Sequence, residues 1–548
     1  MHSSEQIMKK SFIYTCMFGL SALALTSCSD PMDEITSLIV GRNFSPTNFE
    51  AKSVTKESAS LEWTLSSGAT SYNLEIFEND SLTFEGTPVQ TFKGISASQI
   101  PYLIEGLTYD TKYSARVMAV DDNDNSRNSV WNGVYFRTNA QQIFKTVDPL
   151  KDVLDRSATF YWPAGEAVTK IAAKFTDDNG RTTVVVSRNL TEEEIAAGKA
   201  TVEGLSPTTK YTINLYNGEK ERGSKTITTI ADMTGKTIVQ EGDNLKSILT
   251  NAADGEQFVL MPGTYQIPSA DDDGKTSSAV LKTNVSIEGM YPTAKPVIQG
   301  RFEINGAKSV ELTNVVLDGS LNNTTDQAFN FKQAADDLEK LVVKDSEIKN
   351  YGKGLVYINN NKIQIKEIAF QNCDIHEIAT ANGGEWYDFR TAYIAALTLK
   401  NCTFYRSAPI AKEREFVRYD DAKIDGCDQT VITVDHCLLD GISNATGKRL
   451  LYVRNGCSAI NWTNNIVTNT VAVWSNQAKT LVPTFKNNVY YACPNLNKEV
   501  LGPPIINAFK DDSATEIDPN YKDAAKGDFT IGEEKVIKLE VGPEKWYK

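Results

Sequence analysis

Between about Val310 and Ala492 the chain returns seven times to one short phrase, and this repetition restricts the fold more than any other feature. The copies are Leu312-Thr313-Asn314-Val315-Val316-Leu317, Val343-Lys344-Asp345-Ser346-Glu347-Ile348, Phe370-Gln371-Asn372-Cys373-Asp374-Ile375 and Leu399-Lys400-Asn401-Cys402-Thr403-Phe404. They continue as Val434-Asp435-His436-Cys437-Leu438-Leu439, Trp462-Thr463-Asn464-Asn465-Ile466-Val467 and Phe485-Lys486-Asn487-Asn488-Val489-Tyr490. Successive copies lie 23 to 35 residues apart, the period of a solenoid. Period-2 apolar patterning on either side of an Asn describes two short strands meeting at a corner. Asn suits that corner because it tolerates left-handed backbone angles and its amide can reach the next coil. Stacked, the copies predict one polar ladder of Asn314, Asp345, Asn372, Asn401, His436, Asn464 and Asn487. The next column would hold Val315, Ser346, Cys373, Cys402, Cys437, Asn465 and Asn488.

On these residues the region resembles the right-handed parallel β-helix of the pectate-lyase-like superfamily, whose asparagine ladder occupies such a corner. Upstream, Asp243 is placed to cap a helix carrying Leu245, Ile248, Leu249 and Ala252 on one face. That segment resembles the helix closing the raw end of many β-helices. Asp518 to Phe529 resembles their closing segment.

Two further all-β stretches precede the solenoid. Leu61-Glu62-Trp63, Tyr72 to Ile76 and Gly106 to Tyr113 resemble a fibronectin type III domain, with Trp63 in its core and Tyr113 as the corner tyrosine. Phe160-Tyr161-Trp162 and Gly204 to Tyr211 repeat the pattern. Both are read as spacers. The expected fold class is all-β, a right-handed parallel β-helix preceded by two β-sandwiches. The domains would be a leader (1–28), a linker (29–44), sandwiches at 45–139 and 140–231, and a β-helix from 232 to 548.

Lys9 and Lys10 precede an apolar run from Phe12 to Leu25, too short for an ordinary membrane span. Leu25-Thr26-Ser27-Cys28 resembles a bacterial lipobox with Cys28 as the lipidated residue. The acidic run after it resembles the export signal of surface lipoproteins in Bacteroidota. The resemblance as a whole implies a lipid-anchored outer-membrane protein at the cell surface, in a glycan-utilisation system alongside a glycan transporter.

The formal charge of −14 argues against nucleic acid as a partner, since phosphates need a basic face. Three histidines make a histidine-rich metal site a poor reading. Cys373, Cys402 and Cys437 share a column whose parallel side chains suit buried filling rather than disulfides. A Cys427–Cys457 bridge is left open.

Extra residues follow the strand after the Asn corner, at Ser320–Asp337, Ala379–Arg390, Ser407–Glu413 and Ile442–Gly447. Stacked loops at one corner would wall a groove suited to a linear polymer. Alternation predicts Tyr357, Phe416, Arg418, Asp420, Tyr452 and Arg454 facing outward, with Trp386, Tyr387 and Arg390 added from a loop. Aromatic platforms beside arginines hold sugar rings and their carboxylates. The expected ligand is therefore a polysaccharide, with an acidic pectic glycan first, and binding requires no cofactor. A lyase is the alternative: Arg418, Arg414 or Lys412 as base and calcium at Asp420 and Asp421. A protein-binding adhesin is the third reading.

Overall fold

The computed structural model describes residues 41–177, 179–267, 278–322, 327–360, 362–380, 383–407, 410, 412–497 and 509–547. Cys28 and the leader lie outside the described residues. The chain divides into two compact units at Gln141/Gln142.

The first unit is a β-sandwich. A three-stranded sheet (Thr47–Val54, Ser58–Thr64, Tyr102–Glu105) faces a four-stranded one (Ser71–Glu78, Gln90–Ile95, Lys112–Val120, Asn132–Arg137). Alternate residues of each strand meet in a core around Trp63, Leu74 and Val117. The Tyr113 hydroxyl accepts the Thr108 N–H at 2.9 Å, the expected tyrosine corner.

The second unit holds another sandwich and the solenoid. In the sandwich, Trp162 lies in the core and the Tyr211 hydroxyl accepts the Ser206 N–H at 3.0 Å. This sandwich is fixed to the solenoid. Ile230 and Ala231 pack with Val259, Met290 and Tyr291, and the Ala231 N–H bonds the Met290 carbonyl at 3.0 Å.

The solenoid is a parallel β-helix of three sheets. Among the described residues the first runs from Thr237–Val239 to Thr484–Lys486 in ten strands and the second from Thr264–Gln266 to Thr515–Glu516 in ten. The third runs from Ser278–Leu281 to Leu451–Val453 in seven, and every pairing in the three sheets is parallel. Inward residues of all three sheets form one continuous apolar core. The opening helix is Leu245–Thr250; its cap is Asn244, whose side chain accepts the Ser247 N–H at 2.9 Å. Asp243 instead accepts the Gln240 N–H.

The Asn-centred corner forms as expected. Asn314, Asp345, Asn372, Asn401, His436, Asn464 and Asn487 all take φ between 50° and 57°. Asn401 donates to Asn372 (3.1 Å), Asn372 to Asp345 (2.9 Å) and Asn487 to Asn464 (3.0 Å). His436 interrupts the run, so Asn464 donates to Asp435 instead (2.9 Å). One position later, the cysteine and asparagine side chains bond back to the coil before. Cys373, Cys402 and Cys437 donate to the carbonyls of Val343, Phe370 and Leu399; Asn465 and Asn488 donate to those of Val434 and Trp462. Burial pushes the Cys373 and Cys402 thiols up, which keeps them protonated donors. All six described cysteines are free, Cys427 and Cys457 included.

The C-terminal segment covers a flank. Leu438, Ile466 and Val489 point outward from the second sheet, and Phe529, Ile531, Val536 and Val541 bury them. Each aliphatic covered this way contributes about 1.5–3 kcal/mol. The Trp546 indole donates to Thr403 Oγ1 at 2.9 Å on the same flank.

Candidate functional site on the third sheet

The third sheet brings together residues far apart in sequence. Its outward column reads Tyr357, Asp388, Arg418 and Tyr452 on successive coils, paired in register. The column on its trailing side holds Arg390, Asp420 and Arg454, whose N–H groups continue the ladder to Ile358, Phe389 and Tyr419. On the leading side, Glu385, Glu415 and Arg449 form a further ladder. Glu385 accepts the Glu415 N–H at 2.7 Å, and Glu415 accepts the Arg449 N–H at 2.7 Å. Coils lie about 4.8 Å apart, so these residues make a compact grid of charge.

Tyr452 is the centre of that grid. The guanidinium carbons of Arg418, Arg449 and Arg454 lie 5.4, 4.5 and 4.6 Å from its ring centroid. Like charges would repel there, and carboxylates beneath offset them. Arg418 donates to Asp420 (2.8 Å) with Glu385 at 3.9 Å, Arg449 donates to Glu415, and Arg390 clamps Asp388. Burial pushes the Glu385 carboxyl up; Glu415 and Asp388 add to this, against the pull of its backbone hydrogen bond. The carboxylates of Glu385, Asp388 and Glu415 are buried, whereas Arg454 is exposed and Arg418 and Arg390 are partly so. The solvent side of the grid is therefore cationic although the total is nearly balanced.

Several expected groove residues lie elsewhere. Trp386, Tyr387 and Phe416 are fully buried in the solenoid core, with Trp386 and Phe416 rings packed edge-on 6.1 Å apart. The stretch read as a loop, Ala379–Arg390, contains the coil's third-sheet strand, Tyr387–Phe389. Tyr393 instead opens a first-sheet strand, Tyr393–Lys400. Ser320–Asp337 likewise contains the strand Gln327–Phe331. Phe416 sits one residue before the strand Val417–Tyr419, where the corner turns its side chain inward, so simple alternation misplaces it. Tyr357, Arg390, Arg418, Tyr452 and Arg454 do share the face. Lys412 is exposed and Arg414 is half-buried beside it in sequence.

The two residues expected to hold calcium do not form a cation pair site. Asp420 is engaged by Arg418, and Asp421 by Lys479 at 2.7 Å. Among the described residues, no group of three or more His, Cys, Asp or Glu is placed to hold a metal ion. His436 pairs with Asp435 at the Asn corner, and His376 stacks on Tyr405 with ring centroids 4.7 Å apart. Sequence reasoning missed Arg449, Glu385 and Glu415. Their signal was the acidic or basic residue placed two before the first strand residue of each coil.

Comparisons with known protein families match three stretches of the chain. Residues 44–131 match the fibronectin type III domain. Residues 263–407 match one domain of unknown function (DUF4957) and residues 397–546 another (DUF5123), so two family models share one continuous solenoid. The charged grid straddles their junction. No curated protein matches. Similar solved structures include a two-domain fibronectin type III segment of chicken tenascin, 18% identical over 34% of this chain and 99% of that one, TM-score 0.23. Another is the fn3 domain of human collagen alpha-1(XX), 22% identical over 19% of this chain and 94% of that one, TM-score 0.16.

Proposed function

We propose that the β-helix captures an acidic polysaccharide along its third sheet, with a pectic glycan the first candidate. One observation carries this reading: three guanidinium groups are gathered around Tyr452, on an extended face whose carboxylates are sunk beneath them. Guanidinium forks match sugar carboxylates, and aromatic rings match sugar faces. Tyr357 extends the same column three coils before Tyr452, as a linear ligand requires. The aliphatic second-sheet flank, by contrast, is already occupied by the chain's own C-terminal segment.

In the same proposal, Cys28 carries a lipid that holds the protein at the outer surface of the cell, near a glycan transporter. Binding rather than cleavage is favoured because the candidate base Arg418 is engaged by Asp420 and Glu385, and Asp420 and Asp421 serve cations already. The test is calorimetric titration of the full chain with polygalacturonate and with neutral galactan, with and without chelator, while ultraviolet absorbance follows unsaturated products. Chelator-independent binding of the acidic polymer without product is the expected result. Product that appears only with calcium would establish the lyase instead, and equal binding of the neutral polymer would reject charge recognition.

A further inference from the structure

A second cationic centre lies off the grid. Arg406 follows the second-sheet strand Thr403–Tyr405, and its guanidinium covers the Trp386 ring at 5.2 Å. All three of its nitrogens are shut off from solvent and have no hydrogen-bond partner. Nearby, Trp386 Nε1, Glu413 Oε2 and Arg414 Nε are also buried and unbonded. Buried polar groups are nearly always bonded, and each exception calls for an explanation. For a guanidinium the cost is several kcal/mol, far beyond what one ring face returns.

Three features narrow the chemistry. The Trp386 ring packs against the guanidinium, and among the described residues no acceptor bonds its three nitrogens. Glu413 is close enough to favour the charged Arg406 yet forms no ion pair with it. Burial pushes the Glu413 carboxyl up, against the pull of the Arg406 charge. Burial pushes the Arg406 guanidinium down, the direction an anionic neighbour would reverse. Such a fork takes a paired oxygen acceptor, which a carboxylate supplies in one plane.

We propose that Arg406, backed by Trp386 and flanked by Glu413 and Arg414, is a binding site for a carboxylate group. This site is independent of the polymer reading, since none of its residues belongs to the Tyr452 grid. The carboxylate can be a free small acid or one borne on a larger molecule.

The experiment follows thermal unfolding of the full chain against increasing sodium acetate, with sodium chloride and sodium sulfate at matched ionic strength. A saturable rise in Tm with acetate, beyond that with either salt, is expected. Arg406→Lys, which keeps charge but not the fork, should weaken the apparent affinity at least about tenfold. Arg406→Met should remove the acetate effect while melting, without acetate, at or above the wild-type temperature, because a buried unpaired cation is gone. A merely structural arginine would lower Tm in that variant. Displacement of acetate by polygalacturonate would assign the carboxylate to a larger molecule; acetate binding insensitive to the polymer would assign it to a small acid. The proposal fails if acetate acts no differently from chloride, if sulfate binds as well, or if both Arg406 variants keep the acetate shift. Polymer binding that persists in Arg406→Met separates the two sites.

Discussion

The Asn–Cys corner and the third-sheet face are built by the same stacking, yet they settle their polar groups differently. At the corner most side chains find a partner one coil back: amide to amide or carboxylate, or thiol and amide to a backbone carbonyl, while His436 pairs with its neighbour Asp435. Neutral groups satisfied this way cost little to bury and fix the register. On the third sheet the ladders carry full charges, and unmatched atoms remain, including Asp420 Oδ1. Stacking at the corner ends in closed pairs, whereas the face leaves charged side chains such as Arg454 exposed. This contrast supports the proposal that a ligand is met on the face rather than at the corner.

The strongest challenge to this division is Trp386→Ala. Because Trp386 is core, the variant should lose about 4 kcal/mol of stability in denaturant unfolding. A fully stable variant with weakened glycan binding would return Trp386 to the groove. Asn465→Leu probes the corner. It orphans the buried Cys437 N–H and takes one bond from the Val434 carbonyl, and should cost about 2 kcal/mol, measured the same way. On the face, Arg454→Ala should leave the melting temperature within a degree or two of wild type. It should weaken acidic-polymer binding by about 1 kcal/mol, more at low salt than at high. Calorimetry at two ionic strengths reads both.

Glu347 offers a pH-dependent check outside both regions. The adjacent His376, 3.1 Å away, and Lys349 hold its carboxyl down at about 2. A depressed carboxyl contributes stability above its unfolded value of 4.5, and the contribution fades as pH falls toward 2. Wild type should therefore exceed Glu347→Gln near pH 5 by a margin that closes as pH falls toward 2. That margin should be about 1 kcal/mol, since the pair is partly exposed. The smallest effect is at the corner again. His436→Asn restores an amide at φ 51° and should add about 0.5 kcal/mol. A loss there would show that the His436–Asp435 pair outweighs a continuous ladder.

Much of the scaffold could be read from residue order, because the corner demands a residue that accepts left-handed angles and repeats at each coil. The two tyrosine corners and core tryptophans were equally readable, since each rests on contacts within a few residues. The face was only half readable. Tyr357, Arg418 and Tyr452 follow from alternation within one strand, but Trp386 and Phe416 do not. Strands of three residues, such as Tyr387–Phe389, give too little periodicity to separate strand from loop.

What residue order alone determined is a stack of coils with Asn at one corner, set behind two sandwiches. Only the tertiary structure decided which charges became neighbours. Arg449 reaches Tyr452 along the chain, but Glu385, Arg418 and Tyr452 meet only across coils. It also decided that the last thirty or so residues cover the second-sheet flank, because three outward aliphatics there could be hidden only by a distant segment. The physical reason is common to both: a solenoid makes its contacts between coils, and the offset between coils varies with every insertion.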